Sequence, residues 1–190
     1  MDDDIRLVEA CLDGSQPAFQ RLVERYQDYV FTITVRVLKS REDAEEAAQD
    51  VFIKVYRTLG SFEKKSKFST WLYTVAYRTA LDKARLKQLP VSSIDDDESY
   101  IQVEDTDGGN PADELYREDL SRQLQAAISR LKPTDAALVT LFYLHETPVK
   151  EAAEILGISL SNAKTKLHRL REALKEELSN QLEAEIEDLL

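Results

Sequence analysis

Cysteine and histidine are scarce in this chain of 190 residues, which contains one cysteine, Cys11, and two histidines, His145 and His168. A single cysteine cannot form an internal disulfide bond, and this points to a reducing compartment inside the cell. A structural zinc ion normally takes four cysteine or histidine ligands, more than this chain has in total. We therefore expect no disulfide framework, no metal centre and no cofactor.

Glycine and proline are also few, at five each, and no apolar run approaches the length that a membrane-spanning helix requires. Residues 1–20 contain Asp2, Asp3 and Asp4 but no apolar stretch, so they do not resemble a signal peptide. Because residues that interrupt helices are rare, the composition favours long helices. We expect a helical protein that is located in the cytoplasm.

Charge is unevenly distributed along the chain, whose formal net charge is -11. Residues 54–85 carry eight basic side chains against two acidic ones, and residues 161–171 carry four basic side chains and no acid. Residues 94–119, which lie between these two basic segments, carry eleven acids and one base. An acidic total argues against indiscriminate binding to nucleic acid, but two basic segments separated by an acidic one permit binding at selected surfaces.

The first part of the chain shows apolar residues at steps of three and four, which predicts amphipathic helices. A short helix is expected over residues 5–13, followed by a longer stripe from Phe19 to Val37. Ser40 is placed as the N-cap of a third helix that continues to Leu59, and Gly60 ends it. Residues 61–69 lack a stripe and predict a loop, after which residues 70–87 form the next helix.

Residues 91–112 are polar, acidic and rich in turn residues, which predicts a flexible linker. Helical periodicity resumes beyond it, with Pro133 in the first turn of a helix that runs to about Leu144 and Thr147 as the N-cap of a shorter one. No alternating, strand-like pattern occurs. We predict an all-α fold of two small helical domains, residues 1–90 and 113–190, joined by this linker, the second domain being a helix-turn-helix domain.

Gly157 follows the short helix and precedes a final one that Ser159 can cap, and this is the pattern of a helix-turn-helix unit. Ala153, four residues before the glycine, is small enough for two helices to cross closely. The outer face of the last helix would then carry six side chains placed for base contacts, with Lys166 and Arg171 nearer to flanking phosphates: Ser161, Asn162, Lys164, Thr165, His168 and Arg169. The alternative is an ordinary solvated, charged helix face.

Two long segments carry a resemblance to a known family. Residues 43–62, DAEEAAQDVFIKVYRTLGSF, together with residues 67–85, KFSTWLYTVAYRTALDKAR, resemble the core domain of extracytoplasmic-function (ECF) sigma factors. These bacterial proteins are promoter-specificity subunits of RNA polymerase. The segment LKPTDAALVTLFYLHETPVKEAAEILGISLSNAKTKLHRLREAL is similar to the second DNA-recognising domain of the same family. The resemblance implies sigma region 2 in residues 1–90 and sigma region 4, which recognises the -35 element, in residues 113–190.

The resemblance also implies roles for particular residues of the first domain. Seven match the helix that docks on the polymerase clamp: Asp43, Glu45, Glu46, Gln49, Asp50, Phe52 and Lys54. Ten match the segment that recognises the single-stranded -10 element: Phe62, Lys64, Lys65, Lys67, Phe68, Ser69, Thr70, Tyr73, Tyr77 and Arg78. The lysines suit a DNA backbone, and Phe62 or Phe68 would support an unstacked base. Trp71 fits either the core or a base platform.

The function implied is that of an ECF-type sigma factor that binds core RNA polymerase, recognises the -35 and -10 elements and helps to melt DNA, without catalysis. Its partners would be core polymerase, promoter DNA and an anti-sigma factor, which could hold it at the inner face of the membrane. The acidic linker would either thread through the polymerase or act as a simple spacer. A stand-alone helix-turn-helix regulator and a protein-binding adaptor are the alternatives. The apolar stripe after Leu174 indicates a longer terminal helix or a frayed end.

Overall fold

The computed structural model describes the backbone of residues 3–88 and 111–188, and the side chains of residues 3–87 and 120–179. Within these ranges the regular secondary structure is helical throughout, which confirms the predicted all-α class. Most of the predicted linker lies outside the described residues. The α-helices are α1 (Asp3–Leu12), α2 (Gln16–Leu38), α3 (Arg41–Thr58), α4 (Phe68–Gln88), α5 (Pro111–Arg130), α6 (Pro133–Val139), α7 (Val149–Leu156) and α8 (Leu160–Asp188).

Helices α1 to α4 form a first module whose helix ends follow from local sequence. The Ser15 hydroxyl accepts a hydrogen bond from the backbone N–H of Ala18, and Ser40 caps α3 in the same way by accepting from Asp43 N–H at 3.3 Å. Between them, Lys39 adopts a left-handed conformation that ends α2. The predicted Ser40 cap is confirmed. Helix α3 ends at Thr58, and a short 3-10 turn follows over Leu59–Ser61.

The core of the first module is formed where α2, α3 and α4 meet. Ile33, Val51, Phe68 and Leu72 are almost completely buried there, as their three- and four-residue spacing in each helix requires. Helix α1 is fastened to this bundle by Asp4, whose carboxylate accepts hydrogen bonds of 2.5 Å from Tyr26 Oη and from Arg25 Nη1. Burial, and next the hydrogen bond to Asp4, raise the pKa of the Tyr26 hydroxyl.

Helices α5 to α8 form a second module around Ile128, Leu138, Leu141 and Ile155. Pro133 begins α6 as predicted, but α6 ends at Val139, and the chain continues as one π-helical turn over Thr140–Leu144. The predicted cap of α7 is wrong. Helix α7 begins after Pro148, which cannot supply a side-chain cap, and the Thr147 hydroxyl instead donates to the His145 carbonyl at 3.5 Å.

The two modules pack against each other, with α2 and α4 of the first against α6 and α7 of the second. The Tyr77 hydroxyl on α4 lies 2.9 Å from the Thr134 hydroxyl on α6, and the Arg36 guanidinium on α2 donates to the side-chain carbonyl of Gln125 on α5. Buried apolar residues form one continuous cluster across both modules. Within the described ranges, no helix combines the length and apolar character that crossing a membrane requires.

Candidate nucleic-acid interface

The turn between α7 and α8 has the geometry that the predicted helix-turn-helix unit requires. Gly157 adopts a left-handed conformation with φ of 67°, which a residue without Cβ tolerates well. Its N–H donates to the Glu154 carbonyl, and Ile158 N–H donates to the Ala153 carbonyl at 3.0 Å. Ala153 is buried, in keeping with the predicted close crossing of two helices.

Helix α8 presents the predicted face to solvent. The Ser159 hydroxyl accepts from Asn162 N–H at 3.2 Å and so caps the helix, as predicted. Ala163 and Leu167 point into the second module and are buried. The six side chains predicted for base contacts are all exposed on the other side: Ser161, Asn162, Lys164, Thr165, His168 and Arg169.

The two cations predicted to reach flanking phosphates are engaged within the second module. Lys166 is half-buried, and its Nζ forms an ion pair with Asp135 on α6. Arg171 is exposed, but its Nε donates to the Tyr143 hydroxyl at 2.9 Å, and this hydrogen bond raises the pKa of the guanidinium. Lys164 and Arg169 therefore offer more accessible positive charge on α8 than these two residues do.

The loop between α3 and α4 carries three exposed lysines, each held by an acid. Lys64, in a left-handed conformation with φ of 58°, lies 2.6 Å from Glu9 on α1. Lys65 pairs with its neighbour Glu63, and Lys67 lies 3.0 Å from Glu151 on α7. Exposed ion pairs of this kind are worth little, so a DNA phosphate can compete for each of these lysines.

The structure corrects the prediction that Phe62 or Phe68 supports an unstacked base. Both rings are buried, with 7% and 1% of their surface exposed, because they pack on each other edge to face at 5.7 Å in the first module. Trp71 is partly buried against both rings, with centroid distances of 5.5 Å and 5.9 Å. These aromatic side chains stabilise the base of the lysine loop rather than offering a free face.

The start of α4 faces the second module. Thr70, Tyr73 and Tyr77 are buried, Ser69 is half-buried, and Arg78 remains exposed. A cavity of about 310 Å³ lies at this junction, between the end of the lysine loop and the turn before α7. Residues of both modules line it, among them Arg25, Tyr29, Lys67, Thr70, His145 and Glu151.

His145, which lines this cavity, is half-buried, but both of its ring nitrogens are inaccessible to solvent. Its ring lies 4.4 Å from the Tyr29 ring and stacks on the Tyr73 ring at 6.0 Å. Among the described residues, neither ring nitrogen has a hydrogen-bond partner. Burial, together with the positive charge of Arg36, lowers the pKa of His145 to about 4, so the ring is neutral near pH 7.

Helix α3 carries the residues predicted to dock on the polymerase, and five of them are exposed: Glu45, Glu46, Gln49, Asp50 and Lys54. The structure corrects the prediction that Asp43 docks on the polymerase, because its side chain is buried and accepts a hydrogen bond from Lys87 Nζ on α4. Phe52 is half-buried against the core. Sequence reasoning missed Ile53, which is 49% exposed although apolar. Its position three residues after Asp50 was the available signal, since that spacing puts both on one face.

Among the described residues, no group of three or more His, Cys, Asp or Glu side chains is arranged to hold a metal ion. Cys11 is half-buried, and burial raises the pKa of its thiol, which disfavours the reactive thiolate.

Comparison with known families divides the chain in the same way as the two modules. The family model for sigma-70 region 2 matches residues 22–89, and the one for sigma-70 region 4 matches residues 121–174. Together they define a sigma factor with the two regions in this order. The chain is 34% identical to the ECF RNA polymerase sigma factor SigW of Bacillus subtilis over 171 residues, covering 87% of this chain and 91% of that protein. The chain belongs to the ECF family of RNA polymerase sigma factors.

Other relatives and solved structures agree with this assignment. The ECF RNA polymerase sigma-E factor of Escherichia coli K12 is 32% identical over 177 residues, covering 88% of this chain and 90% of that protein. CnrH, solved with the cytosolic domain of CnrY, matches with a TM-score of 0.64 and 21% identity over 96% of this chain and 99% of that one. RpoE of Bartonella quintana, solved with the anti-sigma factor NepR, matches with a TM-score of 0.65 and 18% identity, covering 85% of this chain and 96% of that one. At these identities the two structures support the fold.

Proposed function

We propose that this chain binds core RNA polymerase and directs initiation at promoters that carry both a -35 and a -10 element. The observation that carries the proposal is the ordered pair of sigma regions in which α8 presents an exposed, cationic face directly after a glycine turn. The chain acts by binding, and polymerase supplies the chemistry. Its specificity then depends on which base pairs α8 contacts.

We assign recognition of the -35 element, bound as duplex DNA, to α8. Lys164 and Arg169 lie on its exposed face with Ser161 and Asn162 near the helix start, and side chains of these types make hydrogen bonds to base edges in the major groove. One good bidentate base contact is worth about 1–3 kcal/mol of discrimination. The capped helix start holds these side chains in a fixed register.

The -10 element is assigned to the lysine loop and the first turns of α4. Lys64, Lys65 and Lys67 would neutralise phosphates of the opened strand, whereas Ser69 and Arg78 are the accessible polar side chains for base contacts. Capture of a single strand offsets part of the free energy that melting the duplex costs. Phe62 and Phe68 are not assigned to DNA because the core holds them.

Polymerase docking is assigned to the outer face of α3. Glu46, Asp50 and Ile53 follow one another on this face at steps of four and three, so a partner helix would meet two acids and an exposed apolar side chain. Glu46 also pairs with Lys83 at 2.7 Å, which holds it in position. The face suits a basic partner surface with an apolar centre.

An anti-sigma factor is proposed as a further partner. RpoE of Bartonella quintana is solved with one, and a similar partner that covers the docking face of α3 would keep this chain from polymerase. A membrane-bound anti-sigma factor would hold this chain at the inner face of the membrane. The acidic linker of residues 91–112 would act within the polymerase as a tether between the two DNA-binding surfaces.

Transcription with core polymerase and a library of promoters tests the proposal. A defined subset of start sites should fire only when the chain is present, and the selected promoters should share two short motifs at constant spacing. A set of start sites that is the same with and without the chain would contradict it. Tight binding of the chain alone to palindromic duplex sites would instead favour a stand-alone helix-turn-helix regulator.

A further inference from the structure

The lysine loop has cations for the -10 strand, but its own aromatic rings are engaged in packing. Phe62 and Phe68 are buried, and Trp71 is partly buried against both of their rings. Surfaces that hold a single nucleic-acid strand combine cations with aromatic side chains on which successive bases stack. We therefore looked for a stacking ring on another element beside this surface.

Tyr29 on α2 is the most exposed of the tyrosines that line the cavity at the start of α4. Its side chain is 40% exposed, whereas Tyr26 and Tyr73 are 7% and 6% exposed. Lys67 and Ser69, both assigned above to the -10 strand, line the same cavity. An accessible aromatic ring from α2 thus borders the DNA-binding residues of the loop and of α4.

The Tyr29 ring is supported by other aromatic rings of the first module. Its centroid lies 6.4 Å from that of Tyr26 and 6.2 Å from that of Tyr73. Tyr26 is itself fixed, because its hydroxyl donates a hydrogen bond to the carboxylate of Asp4 on α1. A ring that is already ordered loses little conformational entropy when a base stacks on it.

The charges near Tyr29 favour a base at this position and a phosphate at Lys67. Arg25 lies one helical turn before Tyr29 on the same face of α2. Its two terminal nitrogens form ion pairs of 2.5 Å with Asp3 and Asp4, so the two acids offset its charge. A phosphate gains little at that end of the surface, whereas an uncharged base meets no such disadvantage.

The space beside Tyr29 suits a planar ring. The cavity measures about 310 Å³, which is at the lower end of the range for pockets that hold small molecules. The imidazole ring of His145 lies 4.4 Å from the Tyr29 ring at an angle of 58°, and the tyrosine keeps its exposed fraction beside it. A flat heteroaromatic ring is therefore already one of the neighbours of Tyr29.

We propose that Tyr29 is a base-stacking residue of the -10 surface: an unstacked base of the opened strand packs on its ring while Lys67 neutralises a nearby phosphate. The proposal rests on the proposed role of the lysine loop in binding the -10 strand. Stacking tolerates any sequence because every base has a π-face. Tyr29 therefore contributes affinity, whereas Ser69 and Arg78 contribute the choice of base.

Holoenzyme assembled from core polymerase and each variant of the full chain tests the role of Tyr29. The probe is a single strand of about 12 nucleotides that carries the -10 motif of a promoter activated by the chain, a length within the usual site size of such surfaces. Tyr29→Ala should weaken binding of the strand by about tenfold, the size expected when one stacked base is lost. Tyr29→Phe keeps the ring and should bind like the wild type. Tyr56→Ala is the matched control, because Tyr56 is 59% exposed on α3 and does not line the cavity.

Removing one base of the strand at a time distinguishes stacking from a purely structural effect. At one position, an abasic site should weaken binding to the wild type but cause no further loss with Tyr29→Ala, because both changes remove the same contact. At the other positions the two losses should add. Losses that add at every position would overturn the stacking role. Circular dichroism checks that each variant keeps its helices.

The outcomes separate the stacking role from the proposed function. If the chain directs promoter choice but Tyr29→Ala binds the strand as tightly as Tyr29→Phe, only the stacking role of Tyr29 is wrong. If holoenzyme binds the strand no better than core polymerase alone, the -10 role of the lysine loop is wrong, and the stacking role with it. Promoter choice that the chain does not alter contradicts the proposed function itself.

Discussion

Lys87, in the last turn of α4, donates a hydrogen bond from Nζ to the carboxylate of Asp43, in the first turn of α3. The contact ties the start of one helix to the end of another, and it leaves the Asp43 side chain only 12% exposed. An acid at this place also suits the helix dipole of α3. Asp43 thus stabilises the first module, although its sequence position matches a polymerase-docking residue.

Asp43→Ala should lower the free energy of unfolding by about 1–3 kcal/mol, because it removes the charged hydrogen bond that joins the start of α3 to Lys87. Burial acts to raise the pKa of Asp43, but hydrogen bonds from Lys87 and Ser40 outweigh it, and the pKa lies below its ordinary value of 3.8. The contribution is therefore present above pH 3.8 and is lost as the pH falls further. Urea unfolding at pH 7 measures the loss, and exposed Glu42→Ala is the control with little expected change.

Gly157→Ala should destabilise the second module by about 1 kcal/mol, because alanine in a left-handed conformation carries a steric penalty that glycine avoids. Nothing lies within 4 Å of the added Cβ, so the cost comes from the backbone alone. Thermal unfolding measures it. Gly60→Ala is a fitting control, since the new Cβ would meet only Leu12 at 4.0 Å and the backbone there is not left-handed. Equal effects at both glycines would contradict the explanation.

Lys164→Ala and Arg169→Ala should each weaken use of the -35 element by about tenfold or more, the size expected when one good base contact is lost. Polymerase binding should stay unchanged because α8 is separate from the docking face on α3. Transcription from promoters with and without an intact -35 element provides the measurement. Lys175→Ala, further along the same helix and exposed, serves as the control. A parallel fall in polymerase affinity would refute the assignment.

Asp50→Arg should reduce polymerase affinity by about tenfold, because it replaces an acid by a cation on the face that Glu46 and Ile53 share. Ile53→Asp should do so as well, by removing the apolar centre of the face. Binding of labelled chain to core polymerase measures both. Glu172→Arg changes the charge equally on α8 and should have little effect on this affinity.

Acid should loosen the packing of the two modules against each other. The pKa of His145 is about 4 when it is packed between the modules and would return toward its ordinary 6.5 when they separate, so separation takes up a proton. The packed arrangement of the two modules therefore has its full stability above pH 6.5, and the ratio of packed to separated modules falls by roughly tenfold per pH unit below that, down to pH 4. The charged and titratable groups nearby are Arg25, Tyr29, Arg36, Lys67, Tyr73, Glu146 and Glu151.

Small-angle scattering at pH 7.5 and pH 5.5 measures this change as a larger radius of gyration at the lower pH. His145→Phe keeps an aromatic ring in the interface but cannot titrate, and the acids nearby are the same in both chains. The variant should show the smaller response to pH. An identical response in both chains would mean that other groups govern it.

Much of the local structure follows from short-range chemistry. Ser40 and Ser159 cap helices because each precedes a helical stripe and can accept a hydrogen bond from an N–H three residues on, a relation contained within one turn. Gly157 likewise predicts a left-handed turn from its own backbone freedom. The exposed face of α8 follows from the period of the helix, since burying Ala163 and Leu167 turns Lys164 and Arg169 outward.

Roles that depend on distant partners were not predictable in the same way. Phe62 and Phe68 flank the three lysines that precede α4, a position that suggests DNA contact, yet their rings are buried in the core of the first module. Thr147 precedes a proline as a helix cap should, yet its hydroxyl turns to the His145 carbonyl. The pairing of Asp43 with Lys87 joins residues far apart along the chain, and the local sequence at either position does not predict it.

By itself, the sequence determined the all-helical class, the helix-turn-helix unit and the sigma family, because these depend on periodicity, capping and motifs along the chain. Only the tertiary structure decided which polar groups remain available to partners. Lys67 and Thr70 meet Glu151 across 84 and 81 residues of chain. Such contacts exist only once two separately formed modules bury surface against each other, since burial and pairing depend on which helices meet.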